Sequence, residues 1–155
     1  MQQAKKEEFR TGDEKHPVYD HKDHPGRKFS EQKLVVSHLK GDGDFIEGFR
    51  GYASYRHLEL TPELGDMIQF HVTRPTWPKP EVAGKAHFHD CQLAFAYVLK
   101  GSITLEFEGY GKVVMREGSC WNQAGVKHKV LEYTEGCEIL EINMPGSFDT
   151  INKHF

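Results

Sequence analysis

Hydrophobic residues along this chain come in short runs, and the spacing between them is that of strands. From Leu34 onward, brief apolar stretches alternate with clusters of Gly, Pro, Asn and Asp, the punctuation of an all-β sandwich or barrel. The clearest stretch is Ser102–Glu108, where Ile103, Leu105 and Phe107 alternate with Thr104, Glu106 and Glu108, giving one face for a core and one for water. Gly109-Tyr110-Gly111 then turns the chain into Val113, Val114 and Met115, a hairpin signal. The pattern predicts strands over Leu34–Leu39, Phe45–Phe49, Tyr52–Leu60, Asp66–Val72, Lys85–His89, Gln92–Leu99, Ser102–Phe107, Lys112–Arg116, Ser119–Asn122, Lys127–Tyr133 and Glu138–Met144. Pro75, Pro78 and Pro80 surround Trp77 and are incompatible with a central strand, so residues 74–83 read as a loop. No long amphipathic helix and no internal repeat is evident.

Residues 1–33 differ in kind. They carry fifteen charged side chains, with Met1, Ala4, Phe9, Val18, Tyr19 and Phe29 as their appreciable apolar groups, too few to offset the entropy of ordering so long a segment. The reading is a polar N-terminal arm over 1–33, followed by a β-barrel domain over 34–155. His16, His21 and His24 lie in the arm beside Asp20 and Asp23, but a solvated tail accounts for them, because a mobile segment would have to be ordered around any ion it bound.

With 155 residues the chain is long enough for one domain core without disulfides. The 20 basic and 23 acidic side chains leave a net charge of −3, which argues against nucleic acid as a partner, since a phosphate-binding surface carries a basic excess. The longest uncharged runs, Cys91–Leu99 and Gly118–Val126, are nine residues each, whereas a helical bilayer span needs roughly 20 apolar residues. Three cysteines without CxxC spacing and the lack of a secretory signal pattern lead to the expectation of a cytoplasmic protein with reduced thiols. Ten histidines shift attention to imidazole chemistry.

The informative stretch is Gly84-Lys85-Ala86-His87-Phe88-His89, followed by Tyr97-Val98-Leu99-Lys100-Gly101 and later by Gly118 and Gly125-Val126-Lys127-His128. Two residues apart on a strand, His87 and His89 leave the same face with Cα atoms roughly 6.6 Å apart, so both imidazoles can converge on one ion. His128 stands in a separate strand after a Gly-rich turn, where a closed sheet would fold it back across from the pair.

Over roughly Asp66–Met144 these motifs resemble the cupin superfamily, and the run around His89–Gly101 with the Leu140-Glu141-Ile142 ending is similar to small bacterial single-domain cupins. The resemblance implies a double-stranded β-helix, or jelly-roll barrel, a homodimer, and a divalent transition metal on His87, His89 and His128. His87, His89 and Gly101 take the places of the first cupin motif, and Gly118, Gly125 and His128 those of the second. Four places depart from it. Ala94 stands where the family has its acidic ligand, Glu81 and Gln123 where it has Gly and Pro, and Glu132 where it has a terminal Asn. Without that carboxylate a bound divalent ion keeps its full +2 charge, which lowers retention and raises Lewis acidity. Three histidines suit zinc, iron(II), nickel, manganese or copper.

Gln92, two residues from Ala94, is the candidate for the vacated role, as a fourth ligand or, since an amide is a poor donor, as a pocket wall that hydrogen-bonds substrate. Glu132, four residues beyond His128, is a candidate general base on the same strand face. His71 and Cys91 read as ordinary interior residues, and Phe95, Tyr97 and Trp121 as apolar walls or core. Two functions follow. One is a metal-dependent enzyme that oxygenates, isomerises or eliminates a small metabolite; the other is a non-catalytic barrel that binds or senses a small molecule.

Overall fold

The computed structural model describes residues 34–48, 50–60 and 67–152. The chain divides into two compact units, Met1–Gln32 and Lys33–Phe155. The polar arm and its three histidines lie outside the described residues, so the fold is that of the second unit.

Eleven strands and two short 3-10 helices, but no α-helix, make up the described residues. The strands are β1 (Ile46–Glu47), β2 (Ala53–His57), β3 (Gln69–Pro75), β4 (His87–Asp90), β5 (Leu93–Lys100), β6 (Ser102–Phe107), β7 (Gly111–Arg116), β8 (Cys120–Asn122), β9 (His128–Tyr133), β10 (Glu138–Met144) and β11 (Asp149–Asn152). They form a six-stranded sheet in the order β1-β2-β3-β10-β5-β8 and a five-stranded sheet in the order β11-β4-β9-β6-β7. Every strand pair is antiparallel. Neighbours in each sheet are often far apart in sequence, the signature of a jelly roll.

The interior is graded along its length. At one end, Ala96, Val98 and Ile139 of the first sheet pack against Ile103, Leu105, Met115 and Tyr133 of the second, with Cys137 between strands, all buried. Toward the other end the same inward phase turns polar: β10 runs from Ile139 through Glu141 to Asn143, and β4 and β9 contribute His87, His89 and His128, these three histidines and Asn143 being at most 5% exposed. Alternation therefore places both the hydrophobic plug and the polar chamber on one continuous inner surface.

Most predicted strands are present with shifted ends, and β6 and β10 coincide with their predicted ranges. Three differences have physical reasons. Leu34–Leu39 is not a strand: among the described residues no neighbour pairs with it, its Ser37 is held by the Arg56 side chain, and Leu34, Val36 and Leu39 are exposed. Pro75 belongs to β3, because β10 has already ended its pairing at Thr73 and Pro75 faces only Ala53 of β2, so the missing N–H costs no bond in the central ladder. β11 was not expected from the sequence. Its four residues Asp149–Asn152 carry one aliphatic side chain and no alternation of note, and they become a strand by pairing with β4.

A candidate metal centre

The site begins on β4. Burial alternates along His87-Phe88-His89-Asp90, so both imidazoles enter the chamber. β9 lies beside β4 with His128 opposite His87. The turn that leads into β9 is pinned to β4 by an isolated bridge between Ala124 and His89 and by the Gly125 N–H, which donates to the His89 carbonyl at 3.0 Å. Gly125 has φ of +68°, a conformation that costs glycine little and other residues more.

The three rings meet with centroids 4.5 Å apart for His87 and His128 and 5.2 Å for each of the other two pairs. One nitrogen from each lies within 4.8 Å of the others, and among the described residues this is the group of histidine, cysteine and acidic side chains spaced to hold an ion. The remaining nitrogens fix the tautomers. His87 Nδ1–H donates to the Lys85 carbonyl at 3.0 Å and His128 Nδ1–H to the Val126 carbonyl at 2.8 Å. A carbonyl only accepts, so in both rings the lone pair is left on Nε2. His89 Nδ1 lies 3.2 Å from the Thr150 hydroxyl, which can donate or accept, and 3.5 Å from Arg50 Nη2, which can only donate. Outer hydrogen bonds of this kind orient imidazole ligands.

Electrostatics point the same way. Burial, then the nearby His128 ring, lowers His87 to about 4. Burial, then Arg50 and the other two imidazoles, lowers His89 to about 3. Burial lowers His128 as well. All three are neutral near pH 7, the form that coordinates a metal. The donor set, the tautomers of His87 and His128 and the neutral state of the rings thus fit a divalent transition metal.

Around the trio is a shell of polar groups, most of which the sequence did not single out. Glu141 on β10 is the cross-strand partner of His71 on β3. His71 Nε2–H donates to Glu141 Oε2 at 2.6 Å and the Thr73 hydroxyl to the same oxygen at 3.0 Å. Burial alone would raise the Glu141 carboxyl, but the His71 bond and charge, with Arg50 and Thr73, outweigh it and bring it down to about 2. Asn143 and Gln123 are buried and line the same cavity as Arg50, His71 and His89. The signal for Glu141 and Asn143 was their phase with Ile139; for Arg50, in a turn between strands, no signal existed.

Ala94 also lines this cavity, opposite Asn143 of β10, so β5 offers no donor there. β5 begins at Leu93, which leaves Gln92 in the turn before it, exposed, its N–H bonded to the Met144 carbonyl. Glu132 is exposed too and accepts a hydrogen bond from Thr104. The expectation that it shares the inward face of His128 fails at a bulge: Leu105 pairs with Val130 but Thr104 with Glu132, so Leu131 is an extra residue and the phase reverses.

No protein-family model and no curated protein matches the sequence. Solved structures do. The chain is similar to ectoine synthase from P. lautus, with 18% identity and a TM-score of 0.53 over 72% of this chain and 78% of that one. It is similar to the polyketide cyclase RemF from Streptomyces resistomycificus, with 18% identity and a TM-score of 0.51 over 72% and 75% of the two chains. It is also similar to Fe(II)-HppE bound to (S)-1-HPP, with 17% identity and a TM-score of 0.54 over 72% and 63%. Sheet order and these similarities show a cupin fold. At such identities the likeness is one of fold.

Proposed function

We propose that this cupin-fold chain is a metal-dependent enzyme acting on a small metabolite, with His87, His89 and His128 holding one divalent transition metal such as iron, zinc, nickel, manganese or copper. The observation that carries the reading is the convergence of three buried imidazoles, each with one ring nitrogen within 4.8 Å of the others. A metal held there supplies Lewis acidity and open positions for a substrate donor. Lys85, Val126 and Thr150 keep the imidazoles oriented. Glu141, kept ionised by His71 and Thr73, supplies a fixed negative charge on the wall that faces the centre. Of the reaction types open to such a centre, oxygenation, isomerisation and elimination are retained, because fold does not choose among them. The similarity to a protein whose structure contains Fe(II) lends support to iron.

Metal analysis of protein purified without a tag, followed by turnover of thiols, phenols and sugar acids with each metal form, tests this. One equivalent of metal per chain is expected, lost in His87→Ala and His128→Ala together with turnover. Occupancy below about a tenth after loading sinks the reading, since an intact three-histidine site retains its metal. The absence of a donor at Ala94, buried in the cavity wall, favours a second reading, a barrel that binds its ligand without turnover. It predicts ligand-induced thermal stabilisation with no product from any metal form. Gln92, if it touches ligand, does so at the rim; Gln92→Ala is expected to leave metal content unchanged. Dimeric assembly and a cytoplasmic setting, consistent with three free thiols, complete the proposal.

A further inference from the structure

The enclosed cavity that His89 lines together with Glu141 and Asn143 is too small for a metabolite. Its free volume is about 20 Å³, room for one or two waters. A ligand larger than that has to keep most of its atoms elsewhere. Directly outside lies a cleft of about 440 Å³, lined by Arg50, Tyr52, Lys85, His87, Thr150 and Asn152. Two of the side chains already described border both spaces or tie them together. Arg50 lines the chamber and the cleft, its Nη2 3.4 Å from Thr150 Oγ1 and 3.5 Å from His89 Nδ1. Lys85 gives its carbonyl to His87 Nδ1–H while its side chain is exposed at the rim.

The charge of the cleft is one-sided. Among the described residues that line it, Arg50 and Lys85 are the cations and none is an aspartate or glutamate. The acid nearby, Glu141, is on the chamber side, where His71 and Thr73 already use one of its oxygens. A guanidinium presents paired donors to a planar or tetrahedral oxyanion and an ammonium adds a point charge, whereas neither has an acceptor to offer a cationic ligand. Hydroxyl and amide groups of Tyr52, Thr150 and Asn152 complete a polar wall.

We propose that this cleft is the substrate-binding entrance and that Arg50 and Lys85 hold an oxyanion, carboxylate or phosphate, of a small metabolite whose other end points past His87 into the chamber. The direction of that other end rests on the reading of the histidine trio as the reactive centre; the oxyanion site does not.

The test uses the full-length protein, first metal-free and then zinc-loaded, with succinate, inorganic phosphate and the uncharged succinamide as probes, followed by amide chemical shifts and by calorimetry. Succinate or phosphate is expected to shift the Tyr52, Thr150 and Asn152 amides and to saturate, and succinamide is not. Arg50→Gln and Lys85→Gln are each expected to weaken binding about tenfold, the loss of one charge-assisted hydrogen bond. Lys112→Gln on β7 is expected to change nothing. Because Lys85 is exposed, its variant tests the idea even if Arg50→Gln fails to fold. Tighter succinate binding identifies a carboxylate ligand, and tighter phosphate binding a phosphorylated one. Equal response to succinamide, unmoved cleft amides, or binding indifferent to Lys85→Gln overturns the proposal. Zinc binding that persists without oxyanion binding overturns it while leaving the metal centre intact. Oxyanion binding without any zinc binding does the reverse.

Discussion

His87, His89 and His128 owe their chemistry to burial as much as to proximity. Since burial and mutual repulsion hold His87 at about 4 and His89 at about 3, the metal-free protein carries neutral imidazoles well below the usual histidine range. Their lowered folded-state values mean that the unfolded chain takes up protons first as pH falls below about 6.5. Stability of the metal-free protein is therefore expected to decline from about pH 6.5 toward 4, read by urea unfolding across that range. Zinc affinity, by contrast, is expected to stay nearly flat from pH 7.5 to about 5, then to fall as His87 protonates. An affinity that drops already between pH 7.5 and 6 would mean ordinary, solvated imidazoles. Glu141 gives the second test at this scale. Its carboxylate lies well below its usual value, so its contribution is complete above about pH 4.5 and fades as pH falls toward 2. Glu141→Gln is expected to cost about 2 kcal/mol at pH 7, the worth of a charge-assisted hydrogen bond, with the difference from wild type narrowing in acid.

At the level of strands and turns, what matters is where alternation is kept and where it breaks. β10 keeps it, and one strand thereby supplies Ile139 to the plug and Glu141 and Asn143 to the chamber. β9 breaks it at Leu131, which sends Glu132 to solvent and returns Tyr133 to the core, where its hydroxyl donates to the Thr76 carbonyl at 2.7 Å. The turn between β5 and β6 is as exacting. Gly101 has φ of +74°, and a Cβ there would collide with the Thr134 hydroxyl and approach Cys137 at 3.4 Å. Gly101→Ala is expected to destabilise by about 1–3 kcal/mol, a drop of several degrees in Tm by calorimetry, while zinc stoichiometry stays at one per chain. A loss of metal binding in a folded variant would show that plug and chamber are not the separate ends described.

Across the molecule, one stretch of surface is out of character. Leu34, Val36, Leu39 and Ile46 are 92%, 61%, 54% and 56% exposed, and β1 is an edge strand of two residues. Exposed apolar groups and, among the described residues, a terminal strand of a sheet are material for a second copy of the chain. Light scattering on the full-length protein is expected to give twice the chain mass of 17.8 kDa. Leu34→Lys combined with Val36→Lys is expected to return the mass to that of one chain; a wild-type mass of 17.8 kDa would dispose of the dimer. Elsewhere, among the described residues, no helix is long and apolar enough to cross a membrane.

Local chemistry in the sequence determined the all-β class, most strand positions, and the choice of His87, His89 and His128, because strand period and Gly-rich turns are properties of neighbouring residues. It could not decide contacts that depend on which distant strands become neighbours. Opposing β3 to β10 is what joins His71 to Glu141, and a single extra residue in β9 is what removes Glu132 from the chamber. The start of β5 at Leu93 leaves Gln92 in the turn before that strand. Arg50 reached the site only because the turn between β1 and β2 lies over β4 and β11. Register has a period of two residues, so a shift of one reverses every side chain, and that shift is set by pairing across the sheet and not by the residues that undergo it.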